Sequence, residues 1–222
     1  GQMRVMEIMA NTTNTIVEGE VLQLIHCGNP DITETEYMDV IYRKTGKLFE
    51  AGASIGAILV DQSQIVELCL TEYGRHLGIA FQLIDDVFDY SSSVEIMGKN
   101  IGDDLAEGKT TLPLIYGLER CNSQEQLLIR EAIANKDSRN SEQIIECLRT
   151  CGALALTTEK ANTVIWGRKG NGTAFRKIEQ IANSRYNLCS GLVRNLKFSI
   201  YDKLHLMIGI RICQLITFFE AK

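Results

Sequence analysis

The segment Phe81-Gln82-Leu83-Ile84-Asp85-Asp86-Val87-Phe88-Asp89-Tyr90 constrains this chain more than any other. It closes a run from about Gln64 to Tyr90 in which Leu68, Tyr73, Leu77, Phe81, Ile84 and Phe88 recur near helical spacing, which predicts one long helix. At 3.6 residues per turn, Gln82, Asp85, Asp86 and Asp89 fall within an arc of roughly 100°. Aspartate is a mediocre helix former and like charges one turn apart repel, so this face lowers stability unless something compensates. A divalent cation does so. The rise of about 1.5 Å per residue sets Asp85 and Asp89 about 6 Å apart at the backbone, so both side chains can reach one ion. An oxygen-only donor set favours Mg2+, which accepts one or two carboxylates, keeps waters and takes its remaining ligands from substrate phosphates. The competing reading is a solvated acidic face.

The segment that follows bears on the choice. From Ser91 to Thr111 the chain turns polar and contains Gly98-Lys99-Asn100-Ile101-Gly102-Asp103-Asp104-Leu105-Ala106-Glu107-Gly108-Lys109. Lysines bind phosphate as point charges, and glycines let backbone N–H groups approach an anion. A cation site beside an anion site suits a metal-bound diphosphate, although an ordinary surface loop in which Asp103 caps the next turn has the same composition. Upstream, Lys44-Thr45 precedes a run of small residues, Ala51, Gly52, Ala53, Ser54, Gly56 and Ala57. Such a run allows close helix packing or leaves room for an apolar ligand tail. Lys44 on its own reads as a snorkelling surface lysine.

The rest of the chain reads as helical. With 222 residues, 45% hydrophobic, only two prolines and 7% aromatics, it suits one domain or slightly more and lacks the turn signals of a β-sandwich or barrel. A first helix is predicted over Met3 to Leu24, stopped by Cys27-Gly28-Asn29-Pro30. Thr33 and Glu36 form a capping-box pattern opening a second helix through Tyr42, Leu48 and Ile55 to about Val60. Pro113 restarts a helix to about Arg120, and shorter helices follow at about 123–135, 140–151 and 153–161. Two more are expected at about 176–196 and 202–219.

Charge divides the chain unevenly. Residues 1–161 hold 13 Lys and Arg against 25 Asp and Glu, a net of −12, whereas 162–222 hold 10 against 3, a net of +7. An acidic body is a poor nucleic-acid binder, because phosphate neutralisation needs clustered cations. The division predicts a main domain over 1–161 and a divergent helical or poorly ordered tail over 162–222. Seven scattered cysteines form no CxxC pair and read as reduced thiols, and histidines 26, 76 and 205 read as structural. No apolar stretch reaches membrane-spanning length and no secretion signal opens the chain, so a cytoplasmic protein is expected.

Four motifs in order, Glu18-Gly19-Glu20-Val21-Leu22-Gln23-Leu24, Lys44-Thr45, Phe81-Gln82-x-x-Asp85-Asp86-x-x-Asp89 and Gly98-Lys99-Asn100-x-Gly102-Asp103-Asp104-Leu105-x-Glu107-Gly108-Lys109-x-Thr111-Leu112-Pro113, closely resemble the trans-isoprenyl (polyprenyl) diphosphate synthases, in particular their long-chain, octaprenyl-type members. The resemblance covers about residues 1–161. It implies an all-α isoprenoid-synthase bundle around a central cavity and head-to-tail condensation of an allylic diphosphate with isopentenyl diphosphate into a long-chain polyprenyl diphosphate. It also implies a homodimer, or a mixed dimer with an intact homologue. By position, Asp85, Asp86 and Asp89 are expected to hold Mg2+, with Asp85 and Asp89 nearest the ion. Lys44, Lys99, Lys109 and Gln82 are expected to bind substrate, and Lys44, Thr45 and Gln82 to serve catalysis, Thr45 and Gln82 lining the carbocation's path. The family's first aspartate-rich motif and its isopentenyl-diphosphate basic residues fall upstream of what matches Gly1, so little turnover is expected from residues 1–222 alone. A non-catalytic subunit that pairs with an intact synthase is the second reading, and a Mg2+-dependent terpene cyclase the third.

Overall fold

Cys27-Gly28-Asn29-Pro30 does end the first helix: α1 spans Gln2–His26, and Gly28 turns the chain at a φ of 79°. The computed structural model describes residues 2–91 and 102–166, and every helix or strand element among them is helical. Lys99 and the helices expected at 176–196 and 202–219 lie outside the described residues. α2 (Glu34–Ile41) opens on the expected capping box, in which the Glu36 N–H donates to the Thr33 hydroxyl at 3.3 Å and the Thr33 N–H donates to the Glu36 carboxylate at 2.8 Å.

The second helix does not run unbroken to Val60. A π-turn, Tyr42–Gly46, separates α2 from α3 (Lys47–Leu59), and the Lys47 N–H reaches back five residues to the Tyr42 carbonyl. One extra residue in a turn shifts every later side chain by about 100° around the axis. That shift lets α2 bury Tyr37, Val40 and Ile41 while α3 buries Glu50, Ala51, Ser54 and Ala57. The turn ends at Gly46, pressed so closely on the next helix that a Cβ at Gly78 would lie 2.8 Å from the Gly46 Cα.

α4 (Gln64–Asp89) is the long helix the spacing predicts, about 39 Å from end to end, with Ser63 as its N-cap. It packs along α3 and the last described helix and carries the acidic stripe in its final turns. The loop after it contains a one-turn helix, α5 (Asp103–Ala106). α6 (Leu112–Arg120) begins at Pro113 as expected, since a missing N–H costs nothing in a first turn. α7 (Ser123–Asn135), α8 (Ser141–Thr150) and α9 (Ala153–Trp166) follow, and α9 continues through Ala161 to Trp166, five residues past the expected end.

Two apolar cores result. One joins α6 to α9 through Leu114, Ile129, Ile133, Ile144 and Leu148, each fully buried. The other lies beneath the acidic stripe, where Tyr37, Ile41, Leu83, Ile84 and Leu112 meet. The five described cysteines are free thiols. Among the described residues no helix is long and apolar enough to cross a membrane.

Candidate functional site

The end of α1, the π-turn, the last turns of α4 and the segment after α5 enclose a cavity of about 240 Å3. Lys44, Thr45, Gln82, Asp85, Asp86 and Lys109 all line it. Of the residues singled out by sequence, these six are therefore brought together. Asp89 is not among the lining residues. One turn beyond Asp85, its carboxylate accepts the Asp104 backbone N–H at 3.2 Å, at the start of α5.

Each group is held by a definite neighbour. Gly19 of α1 abuts the turn so closely that a Cβ there would lie 2.6 Å from the Lys44 backbone nitrogen. That approach lets Glu20 and Gln23 on the same helix reach the Lys44 ammonium, Glu20 at 2.8 Å and the Gln23 amide oxygen at 3.0 Å. The Thr45 hydroxyl donates to the Gln82 carbonyl oxygen at 3.0 Å, and the Gln82 amide nitrogen donates to Asp86 at 2.8 Å. Tyr37, buried on α2, donates its hydroxyl to the other Asp86 oxygen at 2.5 Å. A chain of hydrogen bonds thus runs Tyr37–Asp86–Gln82–Thr45, in which the Gln82 amide presents its oxygen to Thr45 and its nitrogen to Asp86. The Lys109 ammonium meets Asp104 at 2.9 Å and Glu107 at 2.7 Å.

The electrostatics are those of crowded acids. Asp86 is 3% exposed, and burial together with the nearby Asp104 carboxylate pushes its carboxyl up to about 8. Burial and Asp104 also push Asp89 up to about 6. Burial works against the charge on Lys109, yet its ion pairs with Glu107 and Asp104 outweigh it and push the ammonium's pKa up. Like charges held close in a partly dry site are what a divalent cation relieves. Every nearby side-chain donor of the acidic wall is an oxygen, which fits Mg2+ or Ca2+ better than a soft metal. Among the described residues no three His, Cys, Asp or Glu side chains close on one point by themselves.

Asp104, Tyr37 and His26 are among the cavity residues that escaped the sequence reading of the site. Asp104 lines it although the pair Asp103-Asp104 read equally well as a helix cap. Tyr37 also lines it, and nothing in its apolar context marks it. His26, read as structural, lines the cavity at the end of α1.

The polyprenyl synthetase family model matches residues 1–151. The chain belongs to this family. It is 46% identical over 162 residues to octaprenyl diphosphate synthase of Escherichia coli, which covers 72% of this chain and 50% of that protein. The octaprenyl diphosphate synthase of Haemophilus influenzae is 48% identical over 139 residues, covering 63% of this chain and 42% of that one. Among solved structures, the polyprenyl synthase of Caulobacter crescentus complexed with calcium and isoprenyl diphosphate superposes with a TM-score of 0.70 at 35% identity, covering 73% of this chain and 50% of that chain. A decaprenyl diphosphate synthase from Rhodobacter capsulatus gives a TM-score of 0.67 at 34% identity, covering 82% of this chain and 58% of that one. The all-α isoprenyl-synthase fold is shared with these proteins, and the chain spans about half the length of the curated relatives it matches.

Proposed function

We propose that this chain forms the diphosphate-binding side of a prenyltransferase that condenses an allylic diphosphate with isopentenyl diphosphate to give a long-chain polyprenyl diphosphate. One observation carries the reading: a single cavity lined by Asp85 and Asp86 on one wall and by Lys44, Thr45, Gln82 and Lys109 around it. The relative complexed with calcium and isoprenyl diphosphate supports a divalent cation and a prenyl diphosphate as its occupants.

In this reading Asp85, Asp86 and Asp89 hold Mg2+, with Asp104 adding charge to the same wall. When bound, the cation supplies positive charge where negative charge develops on a departing diphosphate. Lys44 and Lys109, each held by carboxylates in the free protein, exchange those partners for diphosphate oxygens. Lys99 joins them from the adjoining segment. The Gln82 carbonyl oxygen and the Thr45 hydroxyl, locked together by Asp86 and Tyr37, present partial negative charge along the path of an allylic cation. The apolar side chains of Ile32, Val40 and Ile41 line the same cavity and help exclude water from it.

Pairing belongs to the proposal too. Met3, Met6, Val17, Val21 and Leu24 lie within an arc of roughly 60° on α1 and are all exposed, which suits a helix covered by a second copy or by an intact homologue.

The test is product formation. Incubation with farnesyl diphosphate, isopentenyl diphosphate and Mg2+, followed by chromatography, is expected to give prenyl products only with the cation, and none from Asp85→Ala. Equal product with chelator, or from Asp85→Ala, contradicts the reading.

A further inference from the structure

We propose that Glu50, acting with Tyr42, Lys47 and Arg75, is a positioning residue that holds the π-turn in the shape presenting Lys44 and Thr45 to the cavity. The proposal rests on the diphosphate-site reading above and adds to it a residue outside the cavity lining.

A π-turn is rarer and poorer in geometry than the α-helical turn it replaces, so one that persists needs a constraint. The Gly19 and Gly78 approaches confine its backbone on two sides. A third side is closed by side chains. Tyr42, the first residue of the turn, donates its hydroxyl to Glu50 at 3.0 Å, eight residues further along. Lys47, which closes the turn, donates to the second Glu50 oxygen at 2.6 Å. Arg75 on α4 donates its Nε to Glu50 at 2.7 Å while its guanidinium carbon stands 5.4 Å from the centre of the Tyr42 ring. Glu50 is 6% exposed, and although burial favours its neutral form, hydrogen bonds from Lys47 and Arg75 hold the carboxyl below its usual range.

The carboxylate therefore ties the first residue of the turn, the residue after it, and the neighbouring helix to one point. If the turn relaxed to an α-helix, Lys44 and Thr45 would swing by up to about 100° relative to α3. A buried ion pair of this kind contributes little net stability compared with an apolar substitute, and its best-attested role is to specify one arrangement over another.

The experiment compares wild type, Glu50→Gln and Tyr42→Phe, each also in a Lys44→Gln background. Calorimetry reads the affinity for methylenediphosphonate with Mg2+, and hydrogen exchange reads the amides of residues 43–47. Expected results are faster exchange at those amides in both variants and an affinity at least tenfold weaker in Glu50→Gln, with most of that loss absent once Lys44 is already Gln. Wild-type affinity in Glu50→Gln overturns the proposal, as does a loss of the same size in both backgrounds. If wild type itself binds no methylenediphosphonate, the diphosphate reading fails, and the exchange data decide on their own: unchanged exchange at 43–47 overturns the positioning role. Should Glu50→Gln not fold, Tyr42→Phe, which deletes one hydroxyl and keeps the ring, supplies the same comparisons.

Discussion

The α6–α9 end of the molecule and the cavity wall are both buried, yet they are built on opposite principles. Between α6 and α9, Ile129, Ile133, Ile144 and Leu148 are fully covered and carry no polar atom in their side chains. Around the cavity, Tyr37, Asp86 and Thr111 are also buried, and each is polar and hydrogen-bonded. The first region follows the ordinary rule that burial of apolar surface stabilises. The second departs from it at Asp86, proposed to hold the cation, and at Tyr37, which holds Asp86 in place, as expected where a fold gives up stability for a site.

The comparison breaks most visibly through the apolar end. Leu148→Ala is expected to cost about 2–5 kcal/mol in urea denaturation while leaving Mg2+-supported diphosphate affinity unchanged in the folded fraction. A loss below about 1 kcal/mol would mean that this end is loosely packed and that the contrast is false.

The polar end is sharpened by pH. Asp86 binds its proton more tightly folded, at about 8, than at its ordinary value of 3.8. Between those values Asp86 keeps its proton in the folded state, so its contribution to the stability of metal-free protein, read as the difference from Asp86→Asn, is expected to fall as pH rises towards 8, by at most about 1.4 kcal/mol per unit for one proton. The loss is present above the ordinary value and levels off above the folded one. Added Mg2+ is expected to flatten the slope, because a cation stabilises the ionised form. A difference between wild type and Asp86→Asn that does not fall with pH over this window in the absence of metal contradicts the assigned burial of Asp86.

Smallest of all is the exposed pair Asp31–Arg130, at 2.6 Å. Arg130→Ala is expected to change stability by less than about 1 kcal/mol and affinity not at all. A larger effect would show that the boundary between the two regions carries strain.

What could be read from the sequence follows the same division. α4, α6 and α7 have the predicted boundaries to within a residue, since their apolar spacing and the Pro113 signal are local. The Thr33–Glu36 capping box is equally local and equally legible. The π-turn was not, because it rests on contacts distant in the chain, such as that of Gly46 with Gly78 32 positions away, which no pattern of spacing records. Asp85 and Asp86 stood out because acids are costly in an apolar helix, Gln82 because it shares their face and Lys109 because lysine is typical of anion binding, whereas the readings of Lys44 and Thr45 came from the family resemblance; all six line one cavity. Tyr37 and His26 escaped because an aromatic side chain on an apolar face and a histidine at a helix end have common structural explanations. Asp89 sits on the predicted face, yet the N-terminus of α5 occupies its carboxylate, a long-range effect that helical geometry alone does not anticipate.

The central claim, that the acidic face of α4 holds a divalent cation on behalf of a diphosphate, is tested most directly by titrating pyrophosphate into the protein in a calorimeter with Mg2+, with chelator, and in Asp85→Asn. The account predicts uptake that requires Mg2+ and weakens at least about tenfold in Asp85→Asn, the scale on which changes around a metal act. Pyrophosphate uptake by folded protein that is equal with and without Mg2+, or indifferent to Asp85→Asn, would contradict it.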